Sequence, residues 1–159
     1  MRLHGLADCY RGLSQYAKSI GIFEEAMEQA KKAGDRKGEG VYLEHMGQCK
    51  SALGDYVLAI ACHKEHFDIA NELGSSGAQA FALLGLGVVL LQQTVVERRD
   101  AVVDVQNLSD ATLHLDTTIR LAHTHGWDYT VNYALLHLAF LLFHLGQEET
   151  VVRRLQQTL

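Results

Sequence analysis

The sequence contains no proline among its 159 residues, although about one residue in twenty is proline in an average protein. Proline breaks the interior of a helix, because it lacks a backbone donor and its ring clashes with the preceding turn. The absence of proline therefore indicates a chain that is almost entirely helical.

Cysteine is also scarce, with thiols only at Cys9, Cys49 and Cys62. Three cysteines do not form an even disulfide framework, and reduced thiols are typical of intracellular proteins. Cys9 and Cys49, which lie 40 residues apart, are expected to be small core residues. No basic-then-apolar leader opens the chain, and the longest uninterrupted apolar runs are too short to cross a bilayer. We therefore expect a cytoplasmic protein without a membrane partner.

Positive charge is in deficit, because 14 Lys and Arg stand against 19 Asp and Glu, which gives a net charge of -5. Proteins that bind nucleic acid present a basic face to the phosphate backbone. The charge balance therefore argues against nucleic acid as a partner. Hydrophobic residues at 48% and charged residues at 21% are in the range of an ordinary globular protein.

The chain repeats itself at a fixed spacing. The segment "SQYAKSIGIFEEAMEQAKKAGD" is echoed 40 residues later by "GDYVLAIACHKEHFDIANELGS". Residues that match across this offset are Tyr16 with Tyr56, Ile20 with Ile60, Ala30 with Ala70, and Gly34 with Gly74. Self-similarity with a period of this size is the signature of a repeat architecture. The next loop glycine, Gly126, follows Gly74 by 52 residues, which predicts a 12-residue insertion in the third unit.

Within each unit the apolar residues recur at spacings of three and four, which is typical of two amphipathic helices. The predicted stripes of the first helices include Leu3, Leu6, Leu43, Met46, Leu83, Leu86, Leu135 and Leu138. Those of the second helices include Tyr16, Phe23, His63, Ala111, Leu115, Ile119, Val151, Leu155 and Leu159. Small residues in the first helices should let the partner helices approach closely, and these are Ala7, Gly47, Gly87 and Ala139. Glycines in the turns should end helices in the left-handed conformation.

The insertion, near residues 94–107, either lengthens the flanking helices or forms a separate turn, and Ser109–Asp110 is expected to cap the next helix. The chain, 1–159, is predicted to be a single array with units of about 1–38, 39–78, 79–130 and an incomplete 131–159. Repeat arrays need polar caps, and neither end has the pattern of one. We therefore expect either a fragment of a longer array, with further repeats or domains beyond both termini, or ends that a partner shields.

Two stretches carry a family resemblance, "MGQCKSALGDYVLAIACH" at Met46–His63 and "LADCYRGLSQYAKSIGIF" at Leu6–Phe23. Their pattern of small residues and tyrosine resembles the tetratricopeptide repeat. The closing proline of that repeat is replaced by Lys31, Asn71 and His123, so the second helix should run longer than in the usual unit of about 34 residues. The long unit resembles Partner-of-Inscuteable/LGN-like scaffolds. The resemblance implies an all-α, right-handed α-solenoid of about four helix-turn-helix repeats.

Nine histidines raise the question of a metal site, most sharply in "CHKEH" at Cys62–His66. Zinc usually takes ligands from two spaced pairs, and His63 stands where Phe23 and Leu115 stand in other units. We therefore expect a packing histidine, and neither a metal nor a cofactor. No phosphate-binding loop, serine elbow or zincin motif is present, so the sequence predicts no catalytic residues and no enzyme.

The family resemblance implies a concave face lined by the first helices. Residues displaced by one or two positions from the apolar stripes are then expected to bind a protein or peptide segment. These are His4, Asp8, Arg11, Glu44, His45, Gln48, Ser51, Leu84, Val88, Leu91, Leu136, Phe140 and Phe143. They are polar in the first two units and apolar in the last two, where an exposed apolar row favours a ligand that covers it.

We therefore expect a protein–protein interaction scaffold. The alternative is a peptide-sensing regulatory module of a larger signalling or transcription-regulator protein, which extra domains beyond either terminus would favour. An RNA-binding helical array would need a basic groove, and a zinc-dependent enzyme would need a stoichiometric metal.

Overall fold

The computed structural model describes residues 2–97 and 105–144. Within those two ranges the chain forms seven helices and no strand, which confirms the all-α prediction. The helices are α1 (Arg2–Gly12), α2 (Tyr16–Ala33), α3 (Arg36–Ala52), α4 (Tyr56–Glu72), α5 (Ser76–Glu97), α6 (Val105–Thr124) and α7 (Asp128–His144). The predicted second helix of the fourth unit, with Val151, Leu155 and Leu159, lies outside the described residues.

The helices begin with the predicted period. Helix α4 begins 40 residues after α2, α5 begins 40 residues after α3, and α7 begins 52 residues after α5. Three hairpins therefore span 2–33, 36–72 and 76–124, and α7 belongs to a fourth unit. The unit boundaries expected after residues 38, 78 and 130 lie inside α3, α5 and α7.

Consecutive helices pack on one another in chain order from α1 to α7. The first helices of the hairpins also contact one another, α3 with α5 and α5 with α7, whereas no comparable contact joins the second helices among the seven described. This pattern of neighbours is that of a helical repeat solenoid. The side on which the first helices meet is called the inner face below.

Close approach within a hairpin depends on small residues, as the sequence predicts. A Cβ atom on Gly87 of α5 would lie 2.8 Å from Cγ of Leu115 on α6. Ala7, at the equivalent place in α1, is fully buried. The predicted second-helix residues Ala111 and Leu115 are fully buried as well.

Glycines end the helices in the left-handed conformation, which confirms the prediction for the turns. The φ angles are 68° at Gly34, 85° at Gly54, 60° at Gly74 and 68° at Gly126. A glycine takes this conformation without the steric cost that a Cβ atom brings. Ser14, which is equivalent to Gly54 in the first unit, has a φ of 57°, and it is the one described residue other than glycine with a positive φ.

The insertion lengthens the helices on both of its sides. Helix α5 continues to Glu97, and α6 already begins at Val105. The expectation that Ser109–Asp110 caps this helix is wrong, because both residues lie inside α6. The residues between the two helices lie outside the described part of the chain.

Two core predictions for α1 are wrong. Cys9 is exposed while its equivalent Cys49 is fully buried, and Leu6 is 49% exposed although its equivalent Met46 is buried. Helix α3 has described repeats before and after it, whereas α1 has one only after it. The same apolar pattern therefore meets fewer neighbours in α1.

By length and composition alone, one described segment could cross a membrane, Ser76–Thr94 of α5, with a mean hydropathy of 1.3. A search for uninterrupted apolar runs, as in the sequence prediction above, does not detect this segment. Helix α5 packs against α3, α4, α6 and α7, and 56% of the segment is buried inside the fold. A central helix of a repeat array needs apolar residues on most of its faces, which accounts for the composition.

Candidate binding groove

Three adjoining pockets lie on the inner face, where α3 meets α5. The middle pocket has a volume of about 500 Å³ and shares Glu44, Gln48 and Phe81 with a pocket of about 710 Å³ near the start of α5. It shares Ser51 and Gln92 with a third pocket of about 630 Å³ near the end of that helix. Because neighbouring pockets share lining residues, the three lie in a row, and together they are called the inner groove below.

Most of the predicted binding residues line the inner groove. They are Arg11, Glu44, His45, Gln48, Ser51, Leu84, Val88, Leu91, Leu136 and Phe140. His4, Asp8 and Phe143 are not among its lining residues. These ten residues all come from the first helices, so the helical spacing brought most of the predicted residues together along one face. That this face binds a protein segment stays a prediction.

The apolar row is less exposed than the sequence predicts. Leu84 is 8% exposed and Leu91 is 3% exposed, whereas Leu136 on α7 is 65% exposed. Helix α5 has four neighbouring helices, so residues on its inner face form the floor of the groove and belong to the core beneath it. Helix α7 presents the projecting apolar side chains.

Sequence reasoning missed several residues of the groove. The aromatic side chains of Phe81, Tyr129 and Tyr133 line its middle pocket, and Tyr129 is 79% exposed. A signal for the two tyrosines was present, because they precede Leu136 on α7 at the spacings of seven and three that keep residues on one helix face. Phe81 likewise precedes Leu84 on α5 by three residues, so these two side chains also lie on one helix face.

Polar side chains on the inner face are linked by hydrogen bonds that cross from α1 to α3. Arg11 donates through Nε and Nη2 to Oδ1 of Asp8, at 3.3 and 3.0 Å. Its Nη1 donates to Oε1 of Gln48 at 3.2 Å, and Nε2 of Gln48 donates to Oε1 of Glu44 at 3.0 Å. Four of the residues predicted to lie on the concave face thus form one network across two units.

The network ends at a carboxylate that two histidines hold. Nδ1 of His63 and Nδ1 of His66, both on α4, lie 3.0 Å from Oε2 of Glu44, so each Nδ1 carries the proton that it donates. Both imidazoles are buried, and the Glu44 side chain is only 14% exposed. Burial by itself would raise the pKa of Glu44, but the hydrogen bonds from His63 and His66 outweigh it and lower the pKa from 4.5 to about 2.

Glycines provide the room for these two imidazoles. Gly47 on α3 and Gly85 on α5 both face His63, and a Cβ atom on Gly40 would lie 3.1 Å from Cδ2 of His66. The sequence correctly predicts a packing role for His63, but its bond to Glu44 depends on which face of α4 meets α3. Spacing within one helix does not contain that information.

Comparison with known proteins supports the repeat assignment. Residues 2–72 match the sequence model of a family described as Tetratricopeptide repeat. The match covers α1 to α4, the two hairpins whose sequences echo each other most closely. No curated protein matches the chain.

Proposed function

We propose that the chain, whose residues 2–72 match the Tetratricopeptide repeat family model, is a non-enzymatic scaffold that binds a protein segment in the inner groove. Tetratricopeptide repeats are protein–protein interaction modules without catalytic activity of their own. The observation that carries the proposal is the row of three adjoining pockets along α3 and α5, to which α1 and α7 also contribute lining residues. The three pockets of about 500, 630 and 710 Å³ together offer more room than the roughly 300 to 1,000 Å³ of a typical small-molecule site, and such a row of pockets suits a segment of polypeptide.

The chemistry of the groove along α5 and α7 supports a bound segment with apolar side chains. Phe81, Tyr133 and Leu136 expose apolar surface along α5 and α7. Covering such side chains stabilises a complex by about 25 cal/mol for each Å² removed from water. Large aromatic side chains also lose little conformational entropy on binding.

The α1 and α3 side of the groove supports polar contacts that are held in place before binding. Gln48 is fixed by Arg11 and Glu44, and Ser51 donates a short hydrogen bond to Gln92, which joins α3 to α5. Side chains that are already oriented lose less entropy when they bind a peptide. We propose that they contact the backbone of the bound segment.

The test begins with a peptide selected from a random displayed library against the whole chain. Its dissociation constant is then measured by fluorescence anisotropy with the wild type and with Leu136→Asp. The inner-groove proposal predicts that Leu136→Asp weakens binding at least about tenfold, because burial of one leucine side chain contributes about 1.5 to 3 kcal/mol.

Leu113→Asp is the matched control. Leu113 is a leucine of similar exposure, 60% against 65%, but it lies on the second helix α6 and lines none of the three pockets. The control should bind like the wild type. If the two variants lose affinity equally, or if only Leu113→Asp does, the segment binds elsewhere and the proposal is wrong.

A further inference from the structure

A second cluster of titratable side chains lies beside the inner groove, between α1 and α3. Nε2 of His4 lies 3.1 Å from Oδ2 of Asp8, and Nδ1 of His45 lies 4.0 Å from Oδ1 of Asp8. One ligand atom from each of the three residues falls within 4.8 Å of the other two. His4 and Asp8 are one turn apart on α1, and His45 reaches them from the next repeat.

The imidazole of His45 is fixed but lacks a hydrogen-bond partner at its inner nitrogen. Its ring stacks on Phe23 with the centroids 5.2 Å apart, and His4 meets it edge-on at 5.1 Å. Nδ1 is buried and makes no hydrogen bond, since the 4.0 Å to Asp8 is too long for one. A buried polar atom left unpaired costs about 1 to 3 kcal/mol, so the structure gives a reason for a ligand at this atom.

A shared metal ion accounts for the wider of these two spacings, which is too long for a hydrogen bond. Zinc binds imidazole nitrogen and carboxylate oxygen at about 2.0 to 2.2 Å in tetrahedral geometry, so the ligand atoms of one ion lie about 3.3 to 3.6 Å apart. The 3.1 Å from Nε2 of His4 to Oδ2 of Asp8 is close to that range, and the 4.0 Å from Nδ1 of His45 to Oδ1 of Asp8 exceeds it by a margin that a small rotation of the His45 side chain would close.

The surrounding contacts also suit a ligand set. Arg11 holds Oδ1 of Asp8 with two N–H groups, which orients the carboxylate in the way that outer contacts orient metal ligands. The nearby guanidinium charge also weakens the attraction for a cation, so we expect moderate affinity.

We propose that His4, Asp8 and His45 form a binding site for one divalent transition-metal ion of the zinc class. Two imidazoles and one carboxylate are the ligands that zinc and cobalt accept, with a fourth position left for water or for a group of a partner. The bound ion joins α1 to α3 and thereby fixes the first repeat against the second. Through Arg11 and Gln48, it also lies next to the polar side of the inner groove, which α1 and α3 form.

The test uses the whole chain without an affinity tag, treated with chelator and titrated with Co²⁺ and then with Zn²⁺. We expect one equivalent of Co²⁺ to give a visible absorption band, and Zn²⁺ to displace it and raise the midpoint of thermal unfolding. His45→Ala should remove the band and the thermal shift. His125→Ala should keep both, because His125 stacks on Trp127 at the exposed turn before α7.

Two further variants keep the test decisive if His45→Ala fails to fold. Asp8→Asn and His4→Gln change partly exposed side chains of α1 and should each weaken Co²⁺ binding at least about tenfold. Binding that survives all three substitutions, or that disappears in His125→Ala, would place the ion elsewhere. Absence of a one-to-one site in the wild type would leave the cluster as an ion-pair network only, and either result overturns the proposal.

Discussion

The imidazole of His63 on α4 occupies the space that a side chain at Gly47 on α3 would need. A Cβ atom on Gly47 would lie 2.6 Å from Nε2 of His63, well inside van der Waals contact. The ring is buried, and Glu44 holds its other nitrogen by a hydrogen bond, so it is not free to move aside. Glycine at this position is therefore a requirement of the packing between α3 and α4.

The first prediction concerns this contact. Gly47→Ala should lower the free energy of unfolding by about 1 to 3 kcal/mol, because the added methyl group overpacks a closed site. Gly21→Ala is the control, since Gly21 is an exposed glycine inside α2 with nothing within 4 Å of an added Cβ. The control should raise stability by about 0.5 to 1 kcal/mol through helix propensity alone. Urea denaturation measures the free energy of unfolding of both variants. A Gly47→Ala variant more stable than the wild type would contradict the close packing of His63 against Gly47.

The second prediction concerns pH. The pKa of Glu44 is lowered from 4.5 to about 2 in the folded chain, so the folded state binds fewer protons at this group than the unfolded state does. The stability that Glu44 contributes is therefore fully present above about pH 4.5 and is lost as the pH falls toward 2. The shift corresponds to about 3 kcal/mol.

Urea denaturation of the wild type and of Glu44→Gln between about pH 5 and pH 2 measures this contribution. We expect the wild type to lose more stability over that range than the variant, by about 3 kcal/mol. The variant should also be less stable at neutral pH, because its amide replaces one of the two carboxylate oxygens that accept from the network. If the free energies of unfolding of the wild type and of Glu44→Gln fall in parallel as the pH is lowered, the histidines do not depress the pKa of Glu44.

The third prediction concerns the first turn. Ser14 has a φ of 57°, where its equivalent Gly54 has 85°, and a residue with a Cβ atom pays about 1 to 2 kcal/mol in this region. Ser14→Gly should therefore raise stability by about 0.5 to 1 kcal/mol, after the entropy that glycine adds to the unfolded chain. Gly54→Ala should lower stability by a similar or larger amount. Thermal unfolding of the two variants should move in opposite directions, and a shift of both in the same direction would contradict this view of the turn.

The sequence was sufficient for the features that depend on spacing along one helix. Three features could be predicted in this way: the period that relates Tyr16 to Tyr56, the glycines that end the helices, and the small residue at Gly47. The same spacing selected the inner face, because residues on one stripe of a helix share their surroundings.

The sequence did not predict the features that depend on neighbouring units. Leu84 and Leu136 have equivalent places, yet the first is buried and the second is exposed, because α5 has four helical neighbours. The bond from His63 to Glu44 and the meeting of His45 with Asp8 join residues of different helices. Their geometry depends on the angle and depth at which the helices pack, which composition and periodicity do not specify.

The central claim is that the inner groove is the binding surface, and amide chemical shifts of the 17.6 kDa chain titrated with the selected peptide test it most directly. The account predicts that the largest shifts occur at Gln48, Val88 and Tyr133, which line the groove. It predicts little change at Leu58 and Leu113, which are exposed on the second helices α4 and α6. The largest shifts at Leu58 and Leu113, with Gln48, Val88 and Tyr133 unchanged, would contradict it.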